Sequence, residues 1–248
     1  MFPSQEKIAS QIRHLIGVHM ESEAEIRPHF FLTGPSGSGK SYLTKSIAEE
    51  FKAPYFEINA AQLTAEGLSG NSLSKAMRPL REHWNKPNVI FVDEFDKLFQ
   101  RNGETTENFR SQVQDEFLHM LEAKNASIFT DYGKYEPVRV DNSLFIFGGA
   151  FSGQQIDNLP ALREAGLRTE FVGRVPLVFC TKPVTLDELK AALPHTKLFK
   201  NYIAITGIKP RDAIREINKM LAEQIEQLDL GIRMLHSTIH QFFMGDIK

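Results

Sequence analysis

Eight consecutive residues, G-P-S-G-S-G-K-S at positions 34–41, limit the possible fold more than any other stretch of the chain. They follow a short apolar run, His29 to Thr33, and precede Lys40 to Phe51, which sets Leu43, Ile47 and Phe51 on one helical face. The order strand, glycine-rich turn, helix satisfies G-x-x-x-x-G-K-[ST] in the context that gives the pattern physical meaning. Glycines let the backbone curl until successive N–H groups point inward, and the helix beginning near Lys40 adds its positive dipole end. Such a cradle suits the phosphates of a nucleotide triphosphate. Lys40 can reach the outer phosphates and the Ser41 hydroxyl can ligate Mg2+. The candidate nucleotide-binding residues are therefore Gly34, Pro35, Ser36, Gly37, Ser38, Gly39, Lys40 and Ser41, with Tyr42 next along the helix. A plain connecting turn matches the bare pattern by chance, but rarely with a strand before it, an amphipathic helix behind it and an acidic partner elsewhere.

That partner is "NVIFVDEFDKL" at 88–98, an apolar run that reads as a strand buried on both faces and delivers Asp93 and Glu94 at its carboxyl end. Asp93 suits the hydration sphere of magnesium, and Glu94 can orient or deprotonate the water that attacks a γ-phosphate. Asp96 and Lys97 fall just beyond, in structural or subunit contacts. Taken alone the acidic run is a solvated turn; paired with the phosphate loop it points to hydrolysis. A small-molecule kinase shares the loop and the magnesium, but Glu94 beside Asp93 favours an activated water over an acceptor hydroxyl.

The rest of the chain extends this unit. An amphipathic helix is expected over Ser4 to Met20, a second strand over Tyr55 to Ile58, and helices over Ser72 to His83 and 111–123. Ser127 to Val140 reads as a hairpin or surface loop, and "SLFIFGGAF" (143–151) and "VPLVFC" (175–180) as further buried strands. Alternating strands and helices predict an α/β fold with a parallel sheet sandwiched by helices. From Thr185 the pattern changes: "TLDELKAAL" opens with a capping box, and Ile214, Ile217, Leu221, Ile225 and Leu228 form one helical stripe. The expected organisation is a nucleotide-binding domain over 1–182, including the helix 4–20, and a small helical domain over 183–248.

Composition narrows the function. With 29 Lys and Arg against 31 Asp and Glu, the net charge of -2 lacks the basic excess that nucleic-acid binding usually leaves. One cysteine, Cys180, excludes disulfides and fits a reducing cytoplasm, and no run reaches the ~20 apolar residues a membrane span needs.

Two arginines complete the picture. Arg174 lies at a strand edge in "GLRTEFVGRVPLV" and Arg211 at a helix start in "GIKPRDAIREI". Either can stabilise charge spreading over γ-phosphate oxygens, or be an ordinary surface charge. At this point the chain resembles AAA+ ATPases, and among them the ClpX and HslU type of protein unfoldase. The matching segments, in family order, are "GPSGSGKS", "LTAEGLSG", "FVDEFDKL", "VQDEFLHMLE", "LFIFGGAF" and "EFVGRVPLV".

The resemblance implies a P-loop NTPase large domain with a small helical lid, and a homo-oligomeric ring, a hexamer, with ATP between subunits. It implies that Arg174 is an arginine finger acting on a neighbour's nucleotide, that Arg211 is the sensor-2 arginine, and that Gly67, Leu68, Ser69 and Gly70 grip a protein client in the pore. The chain also departs from the pattern. Leu68 stands where the unfoldases carry an aromatic residue, one cysteine cannot build the zinc-binding domain of ClpX, and the short linker between "GGAF" and "EFVGR" has no room for the peptidase-docking loop. Gly148, Gly149 and Ala150 occupy the end where a polar sensor-1 residue is expected, leaving Asn142 and Ser152 as candidates.

Other features have plainer readings. His236 and His240 have the spacing of a metal pair but read as surface or core-packing residues, Trp84 as a helix end or an interface, and Phe30, Phe31, Phe91, Phe95, Phe145 and Phe147 as core. Lys197, Lys200, Lys209, Arg211, Arg215 and Lys219 make the tail locally basic. The leading expectation is Mg-dependent ATP hydrolysis that remodels or unfolds a protein partner. The alternatives are a nucleic-acid-associated AAA+ factor, such as a helicase loader or ATP-switched filament, and a regulatory module that binds ATP without useful turnover.

Overall fold

The computed structural model describes residues 2–64, 70–99, 104–130, 133–224 and 231–245. The elements run α1 (Glu6–Glu21), β1 (Phe30–Thr33), α2 (Lys40–Glu50), β2 (Tyr55–Asn59), α3 (Leu73–Ala76), β3 (Asn88–Asp93) and α4 (Glu104–Glu122). There follow β4 (Asn125–Phe129), β5 (Tyr135–Arg139), β6 (Ser143–Gly149), α5 (Leu159–Glu164), α6 (Thr169–Val172) and β7 (Leu177–Cys180). The tail holds α7 (Leu186–Ala192), α8 (Lys197–Thr206), α9 (Pro210–Gln224) and α10 (Ile232–Met244). Two compact units result: a larger one of Lys7–Gly34 and Lys40–Cys180, and a smaller one of Met1–Glu6, Pro35–Gly39 and Thr181–Lys248.

The larger unit is an α/β structure in which five strands pair in the order β2-β3-β6-β1-β7, every pairing parallel. Parallel neighbours need crossovers, and the helices that supply them cover both faces. Successive side chains therefore enter different cores. Phe31, Ile90, Val92, Phe145 and Phe147 pack on one side with α4 residues such as Phe117. Phe30, Leu32, Val89, Phe91, Leu144 and Ile146 pack on the other against Ile12 and Ile16 of α1 and Leu43 and Ile47 of α2. The six phenylalanines expected in the core are each at most 1% exposed, and the Phe95 and Phe147 rings lie 4.6 Å apart. The hairpin expected over Ser127 to Val140 forms as the antiparallel pair β4–β5.

One expectation is corrected. The helix foreseen over Ser72 to His83 is α3 followed by a separate 3-10 turn, Arg78–Glu82, with Pro79 at its start. Proline lacks the N–H that a continuing helix needs and is tolerated only in a first turn, so the chain restarts there.

The smaller unit is helical. Val184, Leu189, Leu193, Phe199, Ala213, Ile217, Leu221, Met234, Leu235 and Ile239 form its core, with Phe2 packed against it. The capping box forms as expected, with Thr185 and Glu188 satisfying each other's backbone N–H. Of the tail stripe, Ile217 and Leu221 are buried and Ile214 is half-buried, while Ile225 and Leu228 lie outside the described residues. Among the described residues no helix is long and apolar enough to cross a membrane.

Candidate nucleotide site

The loop after β1 turns on its glycines. Gly34, Gly37 and Gly39 have φ of 128°, 73° and 85°, a region that side chains with a Cβ rarely enter. A Cβ on Gly39 would meet nothing within 4 Å, so the loop faces open space there. In the larger unit Lys40 is buried at 8% exposure, and its ammonium donates to the Gly34 carbonyl at 2.7 Å. A buried ammonium held against its own loop is a charge positioned for an anion. Ser41 follows in the first turn of α2, and the Tyr55 hydroxyl donates to its carbonyl oxygen at 3.3 Å. Tyr42 is 72% exposed.

In the smaller unit the rest of the loop is braced from several sides. Ser38 Oγ shares a hydrogen bond with Thr181 Oγ1 at 2.7 Å. Gln5 Nε2 donates to the carbonyls of Ser38 (3.4 Å) and Lys182 (2.8 Å). Arg233 Nη1 donates to Ser36 Oγ at 2.9 Å, and Ile232 N–H donates to the Gly37 carbonyl at 3.2 Å.

β3 ends on the acidic pair, in register with β2 so that Asn59 lies opposite Asp93. Asp93 is half-buried; burial raises its carboxyl pKa above the ordinary value, while the Glu94 N–H and the Lys40 charge work in the opposite direction. Glu94 has φ of 55° and donates its N–H to Asp93 Oδ1 at 2.8 Å. This left-handed kink leaves Glu94 exposed while Phe95 returns to the core. Two adjacent carboxylates therefore occupy different environments, one screened from water and one open to it. Among the described residues no group of three or more His, Cys, Asp or Glu side chains could hold a metal ion. A hydroxyl at Ser41 and a half-buried carboxylate at Asp93 are oxygen donors of the kind magnesium takes, one or two from protein alongside waters and phosphate oxygens.

Asp96, expected in a structural or subunit contact, is buried and structural. Its two oxygens accept from the backbone N–H groups of Ala150 and Phe151, each at 3.2 Å, and Lys97 approaches at 3.6 Å. It thereby fastens the end of β3 to the end of β6. The glycines there have a steric reason: a Cβ on Gly148 would lie 2.5 Å from the Phe91 ring, and one on Gly149 2.7 Å from the Phe151 ring. Neither position accommodates a polar side chain as packed. Asn142 precedes β6 at its opposite end, bonded to the Trp84 carbonyl, and Ser152 is exposed after it.

Arg174 follows α6, where its guanidinium binds the Glu122 carboxylate and donates to the Glu170 carbonyl at 2.6 Å. Arg211 is exposed in the first turn of α9, and its side chain bonds no described residue. Of the four pore-loop candidates Gly67, Leu68 and Ser69 lie outside the described residues. Gly70, at φ 145°, accepts from Lys75 Nζ at 2.8 Å through its carbonyl oxygen. His240 Nδ1 is engaged by the Tyr202 hydroxyl at 2.8 Å, and both His236 and His240 are exposed. Gln5 and Arg233 lie in no local motif that marks them.

The ATPase family associated with various cellular activities (AAA) matches residues 30–201, more than half of the chain. The "ATP-dependent Clp protease ATP-binding subunit ClpX" of Treponema denticola is 24% identical over 96% of this chain and 69% of its own length. The proteins of the same name from Bacteroides fragilis and Bacteroides thetaiotaomicron are 24% and 25% identical, over 88% of this chain and 64% of theirs. The chain thus spans about two-thirds of the length of these curated relatives. With a glycine cradle and buried lysine after β1, an acidic pair at the end of β3 and this match over the same residues, the chain belongs to the AAA family of ATPases.

Proposed function

We propose that this chain is a ring-forming, magnesium-dependent ATP hydrolase that remodels or unfolds a protein partner in the cytoplasm. The observation that carries the hydrolytic part is the pair of unlike carboxylates at the end of β3, Asp93 half-buried and subject to the Lys40 charge, Glu94 exposed on a left-handed kink. The backbone amides of Pro35–Gly39 and the ammonium of Lys40 would hold the phosphates, and Ser41 and Asp93 would hold the metal. Magnesium, when bound, neutralises charge on the phosphate oxygens. Glu94 orients the attacking water and takes its proton at a carboxylate oxygen, a role its solvent-facing position permits. Arg174 is assigned to the site of the adjacent subunit, for which it must exchange its contact with Glu122 for a phosphate, and Arg211 to sensing nucleotide from the small domain, residues 183–248. The similarity to ClpX supports a protein client and a homo-hexamer, with Gly67, Leu68, Ser69 and Gly70 as the gripping loop.

The test is Glu94→Gln, which keeps shape and removes the base. ATP affinity should be retained and steady-state turnover should fall about 10²–10⁴-fold, the usual contribution of a general base. Undiminished turnover would remove Glu94 from this role. Stimulation of the unaltered ATPase by an unfolded protein rather than by DNA or RNA would support protein remodelling.

A further inference from the structure

We infer that Arg233 is a phosphate ligand, a cationic arm that the tail helix holds against the glycine loop. The inference rests on the proposed nucleotide site and adds to it a residue that no loop or strand motif contains. Three observations converge. Arg233 Nη1 donates to Ser36 Oγ at 2.9 Å, which fixes the guanidinium on the loop itself. Among the described residues no carboxylate pairs with it, nor with Arg27, Arg163 or Arg211, whereas Arg13, Arg81, Arg139, Arg168, Arg174 and Arg215 each pair with one; of the four, Arg233 is the one hydrogen-bonded to the glycine loop. A full positive charge resting on a neutral hydroxyl gains far more from a phosphate oxygen, to which arginine donates two parallel hydrogen bonds.

The third observation is how closely the helix start is packed onto the loop. Ile232 N–H donates to the Gly37 carbonyl at 3.2 Å, and Gly231, at φ 51°, has space for no side chain, since a Cβ there would lie 2.5 Å from the Gly37 oxygen. Backbone meets backbone here, so the root of Arg233 is positioned by main-chain contact and only the guanidinium must turn to reach a ligand. Arg211, the other candidate in the tail, has no such anchor.

The experiment uses the full chain, a slowly hydrolysed ATP analogue with magnesium, and equilibrium binding at several salt concentrations. Arg233→Lys keeps the charge and loses the fork; Arg233→Gln keeps a hydrogen-bond donor for Ser36 and loses the charge. As a phosphate ligand, Arg233→Gln weakens binding about tenfold and flattens its salt dependence, while Arg233→Lys loses about threefold or less. Gly231→Ala, which pushes the helix start off the loop, should reproduce the Arg233→Gln result. If Arg233→Gln binds as tightly as the unaltered chain, or if Lys is the worse substitution, the residue only braces Ser36 and the inference is overturned. Failure of the unaltered chain to bind nucleotide at all overturns the nucleotide site as well, a result read before any variant is made.

Discussion

Replacing Asp96 with alanine tests whether the two strand ends that frame the site are held by one buried carboxylate. Asp96 is 5% exposed and accepts two backbone N–H bonds from the β6 exit, where Phe151 and Ser152 sit at φ 48° and 53°. Hydrogen bonds to a charged acceptor are each worth about 1.5 kcal/mol at the low end, appropriate to these lengths, so deletion forfeits about 3 kcal/mol. The freed loop can relax from its left-handed backbone, returning about 1 kcal/mol. The expected net loss is therefore about 2 kcal/mol for Asp96→Ala, and about 1 kcal/mol for Asp96→Asn, which preserves one acceptor. Trp84, the chain's only tryptophan, belongs to the larger unit and reports its unfolding in urea. A slope of about 2 kcal/mol per molar converts the alanine loss into a midpoint lower by about 1 M. Amide exchange at Ala150 and Phe151 should accelerate in parallel. A midpoint within about 0.2 M of the unaltered protein, with those amides still protected, would refute the argument, since the carboxylate would then hold nothing.

Two further substitutions probe the core and its protonation. Gly148→Ala drives a methyl to within 2.5 Å of the Phe91 ring inside the sheet, and overpacking of this kind should lower stability by about 1–3 kcal/mol, measured by thermal unfolding. His29 is buried and accepts the Phe145 N–H at Nδ1 (3.0 Å); burial first, then the charges of Arg27 and His19, lowers its pKa from 6.5 to about 3. The unfolded chain therefore binds the extra proton between those values, and stability should fall as pH drops below 6.5, by up to about 1.4 kcal/mol per unit per proton. His29→Gln should flatten the urea midpoint between pH 6.5 and pH 4 relative to the unaltered chain; identical slopes would exclude His29 as the source.

What could be read in advance follows from how local the information is. β3 and β6 declare themselves because strands covered on both faces become continuous apolar runs, and the phosphate loop because its glycines, lysine and serine are adjacent. Pro79 also stood in plain view, but helical spacing around it outweighed the missing N–H. Tyr55 and Glu57 are legible as strand residues and not as neighbours of the site, where the tyrosine hydroxyl meets the Ser41 carbonyl and Glu57, well after burial, adds the least of the upward pushes on the Asp93 pKa. Arg233 contacts Ser36 across 197 positions of sequence. Nothing in its own surroundings distinguishes it from a surface charge; only the fold makes the pairing.

The kink at Glu94 bears on why the acidic pair is built from two different positions. A non-glycine residue at φ 55° costs about 1–2 kcal/mol, and glycine or asparagine would be cheaper there. Position 94 nevertheless carries a carboxylate in the left-handed turn. In an uninterrupted strand successive side chains alternate, so the residue after Asp93 would point to the opposite face of the sheet. The left-handed turn breaks that alternation. It lets Asp93 stay half-buried while Glu94 faces solvent and Phe95 re-enters the core beside Phe147. The strain is held in place by that phenylalanine packing on one side and by the Glu94 N–H bond to Asp93 on the other. Such an arrangement is what the role proposed for Glu94, meeting water beside a screened carboxylate, requires.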